Sequence, residues 1–142
     1  MRSWSWSHIP GATAIVVALV AAAAAEDRPD PTAVAEGKVI FGRYCASCHG
    51  KNGRGDGPIA GDLRVRPTDL TRLAAKAGGR FPFAAVVESI DGRRQTRGHG
   101  TGDMPVWGEV FQRTKGTGTP TVEAAEQRIA HYVWSIQRPA LP

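Results

Sequence analysis

The sequence is short of sulfur and of histidine, the residues that hold most protein-bound metals. Its 142 residues include two cysteines, two methionines and four histidines. Both cysteines lie in the heptapeptide YCASCHG, as Cys45 and Cys48 with His49 directly after them. A structural zinc site takes four ligands. This motif supplies at most three, and His99 and His131 lack the paired spacing of a zinc finger, so zinc is disfavoured.

Long apolar runs are equally scarce. The single one, Gly11 to Ala25, has 15 uncharged residues, fewer than the roughly 20 that span a bilayer. It follows Arg2, lacks a twin-arginine pair and ends in Ala23-Ala24-Ala25 before two acidic residues, which is typical of a secretory signal peptide. We therefore expect a cleaved signal peptide over 1–25, one domain over 26–142, export to the periplasm and no stable membrane anchor. An uncleaved signal would leave the protein membrane-associated.

Positive charge is in excess but is concentrated at one place only. The chain has 18 Lys and Arg against 13 Asp and Glu, a formal net charge of +5. Most basic residues are separated by acidic ones, and Arg93, Arg94 and Arg97 form the only tight group. This pattern does not predict binding to nucleic acid. A mildly basic surface more often serves solubility or docking onto an acidic protein partner.

No stretch of the chain shows sustained strand alternation, and its first regular segment is helical. Asp30 suits an N-cap and Pro31 the first helical position. Apolar or small residues then recur at spacings of three, four and three, which places them on one helical face. These residues are Val34, Gly37, Phe41 and Tyr44.

The last segment follows the same rules. It starts at Thr119-Pro120, ends at Pro139 and carries an apolar stripe at helical spacing. The stripe consists of Val122, Ala125, Ile129, Tyr132 and Ile136. We expect the first and last helices to pack together, with Gly37 allowing close approach of Tyr132 or Val133.

Between these helices the chain is rich in loops. Thr68 could cap a short helix over 69–76, and a second short helix is predicted over 82–90. A long loop and a helical turn follow at 91–111. The predicted fold class is all-α with long loops. So much irregular chain in a small domain implies that a large cofactor fills part of its interior.

The Cys-x-x-Cys-His motif has two remaining interpretations, a redox disulfide and a haem anchor. A redox Cys-x-x-Cys normally opens a helix after a strand, whereas this motif ends a helical stretch. Thiols three residues apart on a helical turn share one face and can both add to the vinyl groups of one porphyrin. His49 can then reach the iron from the same side. The pattern is that of covalent attachment of a c-type haem, here through Cys45 and Cys48.

A six-coordinate electron-transfer haem needs a second axial ligand, usually methionine or histidine. Met1 belongs to the predicted signal peptide, which leaves Met104, in a glycine-rich loop and braced by Pro105. His99 is the rival ligand. We therefore expect iron to be bound by His49 and Met104.

An imidazole that binds a metal usually donates its other N–H to a carbonyl or carboxylate. The backbone carbonyl of Pro58, at the end of the GKNGRGDGP loop, is our candidate partner for His49, and Pro67 is the alternative.

The motifs FGRYCASCHG, GDGP, MPVWG and IAHYVWSI in combination resemble the class I cytochrome c family, over essentially the whole chain after the signal. More narrowly, HGTGDMPVWGEVF is similar to small single-haem cytochromes of Proteobacteria. The resemblance implies an all-α fold with long loops wrapping one haem c, and a helix crossing through Gly37, Phe41 and Tyr132. It also implies Met104 as distal ligand and Trp107 near the haem edge or a propionate. The stretch between RPTDL and the methionine loop is longer and richer in arginine than in compact members.

Three functions follow as hypotheses. The first is a periplasmic one-electron carrier of the respiratory chain, not an enzyme. Its redox partners would be proteins such as a quinol–cytochrome c reductase, a dehydrogenase or a terminal oxidase. The second is an electron-relay subunit of a dehydrogenase or oxidase complex. The third is a gas-binding or peroxidatic haem protein, which requires an open sixth position on the iron. Arg93, Arg94 and Arg97 could neutralise propionates or take part in docking.

Overall fold

The computed structural model describes residues 28–93, 104–114 and 120–139. Within these ranges the regular structure is entirely helical, and the predicted all-α fold is confirmed. The elements are α1 (Pro31–Tyr44), α2 (Ala46–His49), a 3-10 turn (Leu70–Arg72), α3 (Leu73–Lys76), α4 (Phe83–Asp91), α5 (Trp107–Arg113) and α6 (Val122–Ser135).

Some predictions concern residues outside the described ranges. These are the signal peptide at 1–25, the rival ligand His99, and Arg94 and Arg97. In the part of the chain that is described, no helix has both the length and the apolar character needed to cross a bilayer.

Helix α1 begins as its sequence predicts. The Asp30 carboxylate accepts a hydrogen bond from Ala33 N at 2.7 Å, and Pro31 occupies the first turn. The cap satisfies one of the backbone donors that a helix N-terminus leaves unpaired. Asp30 also contacts the last helix, because its backbone N–H donates to His131 Nδ1 at 3.2 Å.

Helices α1 and α6 form the main packing interface, as predicted. Phe41, Ile129 and Val133 are the largest fully buried side chains. The rings of Phe41 and Tyr132 lie 5.0 Å apart between centroids. Burial of each such side chain stabilises the folded state by about 1.5–3 kcal/mol. The contact between α1 and α6 therefore accounts for much of the stability of the core.

The close approach at Gly37 is to a different partner from the predicted one. A Cβ at Gly37 would overlap the carbonyl oxygen of Arg128, so the prediction of Tyr132 or Val133 was wrong. Tyr132 lies one turn further along α6, beside Phe41, and its hydroxyl donates to Lys51 O at 3.3 Å.

Two predicted helix starts are shifted by one or two residues. Asp69, rather than Thr68, caps the middle segment, since its carboxylate accepts from Thr71 N at 2.9 Å and from Thr71 Oγ1 at 2.6 Å. Helix α6 is capped by Thr121, whose hydroxyl accepts from Ala124 N at 3.2 Å. The observed caps differ from the predicted ones because several neighbouring residues have side chains that can cap a helix.

Candidate haem-binding site

The Cys-x-x-Cys-His motif lies at the junction of α1 and α2. Cys45 still donates its N–H to Phe41 O at 2.9 Å, and its own carbonyl accepts from His49 N at 2.9 Å. The backbone therefore continues in helical geometry, which puts the thiols of Cys45 and Cys48 on one side of the chain. Both cysteines are free thiols, Cys45 buried and Cys48 half-buried.

Cys45 is a neutral thiol in this setting. Burial, and secondarily the neighbouring Cys48, raises the pKa of Cys45 to about 12. A metal-binding or nucleophilic cysteine requires the thiolate. The environment of Cys45 thus disagrees with the redox interpretation, which needs a thiol of lowered pKa. Zinc is disfavoured separately, because no group of three or more His, Cys, Asp or Glu among the described residues could hold a metal ion.

The motif lines an open cleft that encloses about 630 Å³, including the part filled by solvent. Cys45, Cys48 and His49 contribute side chains from the α1–α2 junction, and Met104 and Trp107 contribute theirs from the start of α5. The rest of the lining comes mainly from the loop before the 3-10 turn, namely Leu63, Val65, Arg66, Pro67 and Thr68. A site residue 55 positions from His49 in the sequence is thereby brought to the same cleft.

The orientation of His49 is set by Thr68. His49 Nδ1 lies 3.1 Å from the backbone oxygen of Thr68. Burial lowers the pKa of His49 below its usual range, against the opposing effect of this bond. The neutral imidazole that donates from Nδ1 keeps the lone pair of Nε2 unprotonated, which is the state a metal ligand requires.

The prediction that Pro58 supplies this carbonyl was wrong, and so was the alternative, Pro67. The loop that contains Pro58 turns back under α2 instead, because Gly57 N donates to Cys48 O at 3.1 Å and Ile59 N donates to Ser47 O at 3.2 Å. Pro58 is exposed and does not line the cleft. The carbonyl that faces His49 belongs to the residue directly after Pro67.

Met104 and Trp107 are held differently. Met104 lines the cleft with 40% of its surface exposed. Trp107 is half-buried and packs edge-on against Tyr44, with ring centroids 5.7 Å apart. It also stacks on Phe111, with ring centroids 5.9 Å apart. The indole is thus held between α1 and α5, in contact with Tyr44, the residue directly before Cys45.

Sequence reasoning missed several residues of the cleft. The sequence pattern places Tyr44 on the apolar stripe of α1 and does not indicate a role in the site for Tyr44, Arg66 or Thr68. The proximity of Thr68 to the alternative Pro67 was the one available signal.

Residues 32–115 match the family model for cytochrome C oxidase, cbb3-type, subunit III. The chain belongs to this family. The match includes α1, the cysteine motif, Met104 and α5, whereas α6 follows its end. Searches of curated proteins and of solved structures found no match.

Membership of the cbb3-type subunit III cytochrome family confirms a monohaem c-type cytochrome with one covalently bound haem c and a role in electron transfer. The cleft fits that group by the chemistry of its lining. It brings together two thiols at the attachment spacing, a neutral imidazole, a thioether and the indole of Trp107. Among the described residues that line the cleft, none carries a negative charge and Arg66 carries a positive one, which suits the propionates of a haem.

Proposed function

We propose that this protein is a periplasmic one-electron carrier whose haem iron is bound by His49 and Met104. The observation that carries the proposal is the convergence of both side chains, with Cys45 and Cys48, on one cleft. The bound haem supplies the one-electron couple. Residues 1–25 would be the signal peptide removed on export, in agreement with the short apolar run of that segment.

The chain's own residues provide attachment, orientation and a low-dielectric wall. Cys45 and Cys48 hold the haem by thioether bonds. Thr68 O accepts the Nδ1 proton of His49 and so leaves Nε2 with the free lone pair that a metal ligand needs. The thioether of Met104 and the apolar lining both favour the ferrous state, which raises the reduction potential. Because none of these groups transfers a proton or forms a bond to a substrate, the proposed role is electron transfer and not enzymatic catalysis.

The family suggests where the electrons go. Its description names an oxidase subunit, which supports redox partners such as a terminal oxidase. The proposed donors are a quinol–cytochrome c reductase or a dehydrogenase. The same description favours a second candidate function, an electron-relay subunit held permanently in such a complex. Gel filtration of the protein from periplasmic extract separates the two, because a carrier elutes as a free monomer and a subunit elutes with its complex.

The test of the proposed site uses the haem-loaded protein. Its intact mass should equal residues 26–142 plus one haem. The ferric protein should show the weak absorption band that reports bonding between iron and methionine sulfur. Replacement of Met104 by alanine should abolish this band, keep the haem attached and allow the ferrous protein to bind carbon monoxide. Val39→Ala removes an exposed apolar side chain of α1, outside the cleft, and should change none of these.

A wild-type protein that lacks the sulfur band and binds carbon monoxide readily contradicts the proposal. That result would instead support the gas-binding or peroxidatic function, in which the sixth position on the iron is open.

A further inference from the structure

A buried carboxyl group, Glu126, lies on α6 and is not among the residues that line the cleft. Glu126 is 3% exposed, and its Oε1 is fully buried without a hydrogen-bond donor. A buried ionised carboxylate in this condition is costly, because it has lost water and gained no equivalent partner. The usual solution is that such a group holds a proton.

The neighbour of Glu126 is a second carboxyl group. The side chain of Asp91, the last residue of α4, acts on the pKa of Glu126 both as a negative charge and as a hydrogen-bond partner. Two ionised carboxylates would repel each other, whereas one shared proton allows a hydrogen bond between them. Arg93 Nε also donates to Asp91 Oδ1. The three side chains of Asp91, Glu126 and Arg93 therefore have no net charge together when the two carboxyl groups carry one proton between them.

The other charged groups around Glu126 favour the same state. Burial raises the pKa of Glu126 from 4.5 to about 7, Asp91 and Glu123 add to the increase, and Arg93 opposes it. Within the described residues, Asp91, Arg93 and Glu123 are the charged groups that act on it. Loss of the proton would leave two negative charges for the one positive charge of Arg93.

The turn that carries Asp91 packs directly against the start of α5. A Cβ at Gly108 would overlap Asp91 Oδ1 and lie 2.6 Å from Arg93 Nε. A Cβ at Gly92, whose φ of +68° needs glycine, would lie 3.3 Å from Val106 Cα. Trp107, between these two contacts, faces the cleft. The segment that follows Met104 thus meets Asp91 at Gly108 and lines the cleft at Trp107.

We propose that Asp91 and Glu126 share one proton and together act as the positioning group for segment 104–108, so that ligation by Met104 depends on this proton. The inference rests on the proposed function, in which Met104 binds iron. When the proton is lost, repulsion between Asp91 and Glu126 pushes the 91–93 turn against Gly108. This displaces segment 104–108, and Met104 moves away from its position in the cleft.

The experiment follows the iron–sulfur band of the ferric haem-loaded protein from about pH 5 to about pH 9, on both sides of the raised pKa of Glu126. The wild-type band should weaken as pH rises. In Glu126→Gln the amide stays neutral and still donates to Asp91, so the band should persist to a midpoint more than about one pH unit higher. Asp91→Asn, which also leaves a single carboxyl group, should weaken the pH dependence. Glu88→Gln removes an exposed carboxylate of α4 and should match the wild type.

A second measurement reports the proton itself. Carbon-13 NMR of the ferrous protein should show one glutamate carboxyl that titrates well above the usual range and is missing from Glu126→Gln. A wild-type band that does not change with pH, or that changes with the same midpoint in Glu126→Gln, overturns the inference and leaves ligation by Met104 intact. Absence of the band from the wild type at every pH overturns Met104 ligation, and the positioning role with it.

Discussion

Gln137 ties the end of the last helix to the middle of the chain. Its Nε2 donates to the carbonyl oxygens of Leu70 and Val133, each at 2.7 Å. Its Oε1 accepts from Ala74 N at 2.8 Å. Leu70 and Ala74 belong to the 3-10 turn and α3, which directly follow the loop that supplies Thr68 O to His49. A single amide thus anchors the elements behind the cleft to α6.

Replacement of Gln137 by alanine should therefore be costly for a residue outside the core. It leaves Leu70 O and Ala74 N without this partner in a half-buried place, and each lost bond costs about 1 kcal/mol. We expect the free energy of unfolding of the haem-loaded protein to fall by about 2 kcal/mol, measured by guanidinium denaturation. Gln127→Ala, at an exposed position of α6, should change it by less than about 0.5 kcal/mol. Equal effects of the two substitutions would contradict the anchoring role.

At the scale of elements, the crossing of α1 and α6 depends on one missing side chain. Gly37 is buried where the backbone of α6 passes, and Arg128 O occupies the place that a Cβ would take. The neighbouring ion pair between Arg128 Nε and Glu36 Oε2, at 2.6 Å, holds the helices at the same point. A side chain at Gly37 could fit only if the two backbones separated.

Helix α1 contains its own control for this contact. Gly37→Ala should lower the free energy of unfolding by about 1–3 kcal/mol, because overpacking forces the helices apart. Gly42→Ala, also in α1 but with no atom within 4 Å of the added Cβ, should raise it by roughly 0.5–1 kcal/mol, the intrinsic gain of alanine over glycine in a helix. Thermal unfolding of both variants tests the pair. A destabilised Gly42→Ala, or a neutral Gly37→Ala, would contradict the packing argument.

These elements also show which parts of the structure the sequence could predict. The cap at Asp30 and the stripe along α1 depend on contacts within a few residues, so local spacing was sufficient. The partner of Gly37 and the carbonyl that orients His49 depend on how distant segments meet. The path of the loop under α2 rests on Gly50, Gly53 and Gly55, each at positive φ, and no residue pattern shows where such a loop places its carbonyls.

The burial of Glu126 is the clearest case of a feature that local spacing could not predict. It lies next to Ala125 of the predicted stripe, and a carboxylate at that position is normally read as solvent-exposed. Helices α4 and α5 both pack against α6, and Asp91 at the end of α4 acts on Glu126. Only the assembled helices bring Asp91 to it.

For the whole molecule, the excess of positive charge and the position of the cleft act together. The chain has a formal net charge of +5, which becomes +4 without Arg2 of the proposed signal peptide. Arg66 places one exposed cation on the rim of the cleft. A positive potential around the proposed haem would draw negatively charged redox partners towards the place where electrons leave. Steering of this kind acts on the rate of encounter and weakens as salt is added.

Electron transfer to a small anionic iron cyanide complex should therefore slow as ionic strength rises, measured by stopped-flow oxidation of the ferrous protein. Arg66→Gln should lower the low-salt rate by about twofold or more, because the charge lies close to the cleft. Lys38→Gln removes an equal charge from an exposed position of α1 that does not line the cleft, and should have a smaller effect. With a cationic cobalt complex as oxidant, the sign of the salt dependence should reverse, since the same field then repels the reagent. Equal effects of Arg66→Gln and Lys38→Gln would mean that net charge alone governs encounter, and that Arg66 does not mark the route by which electrons leave.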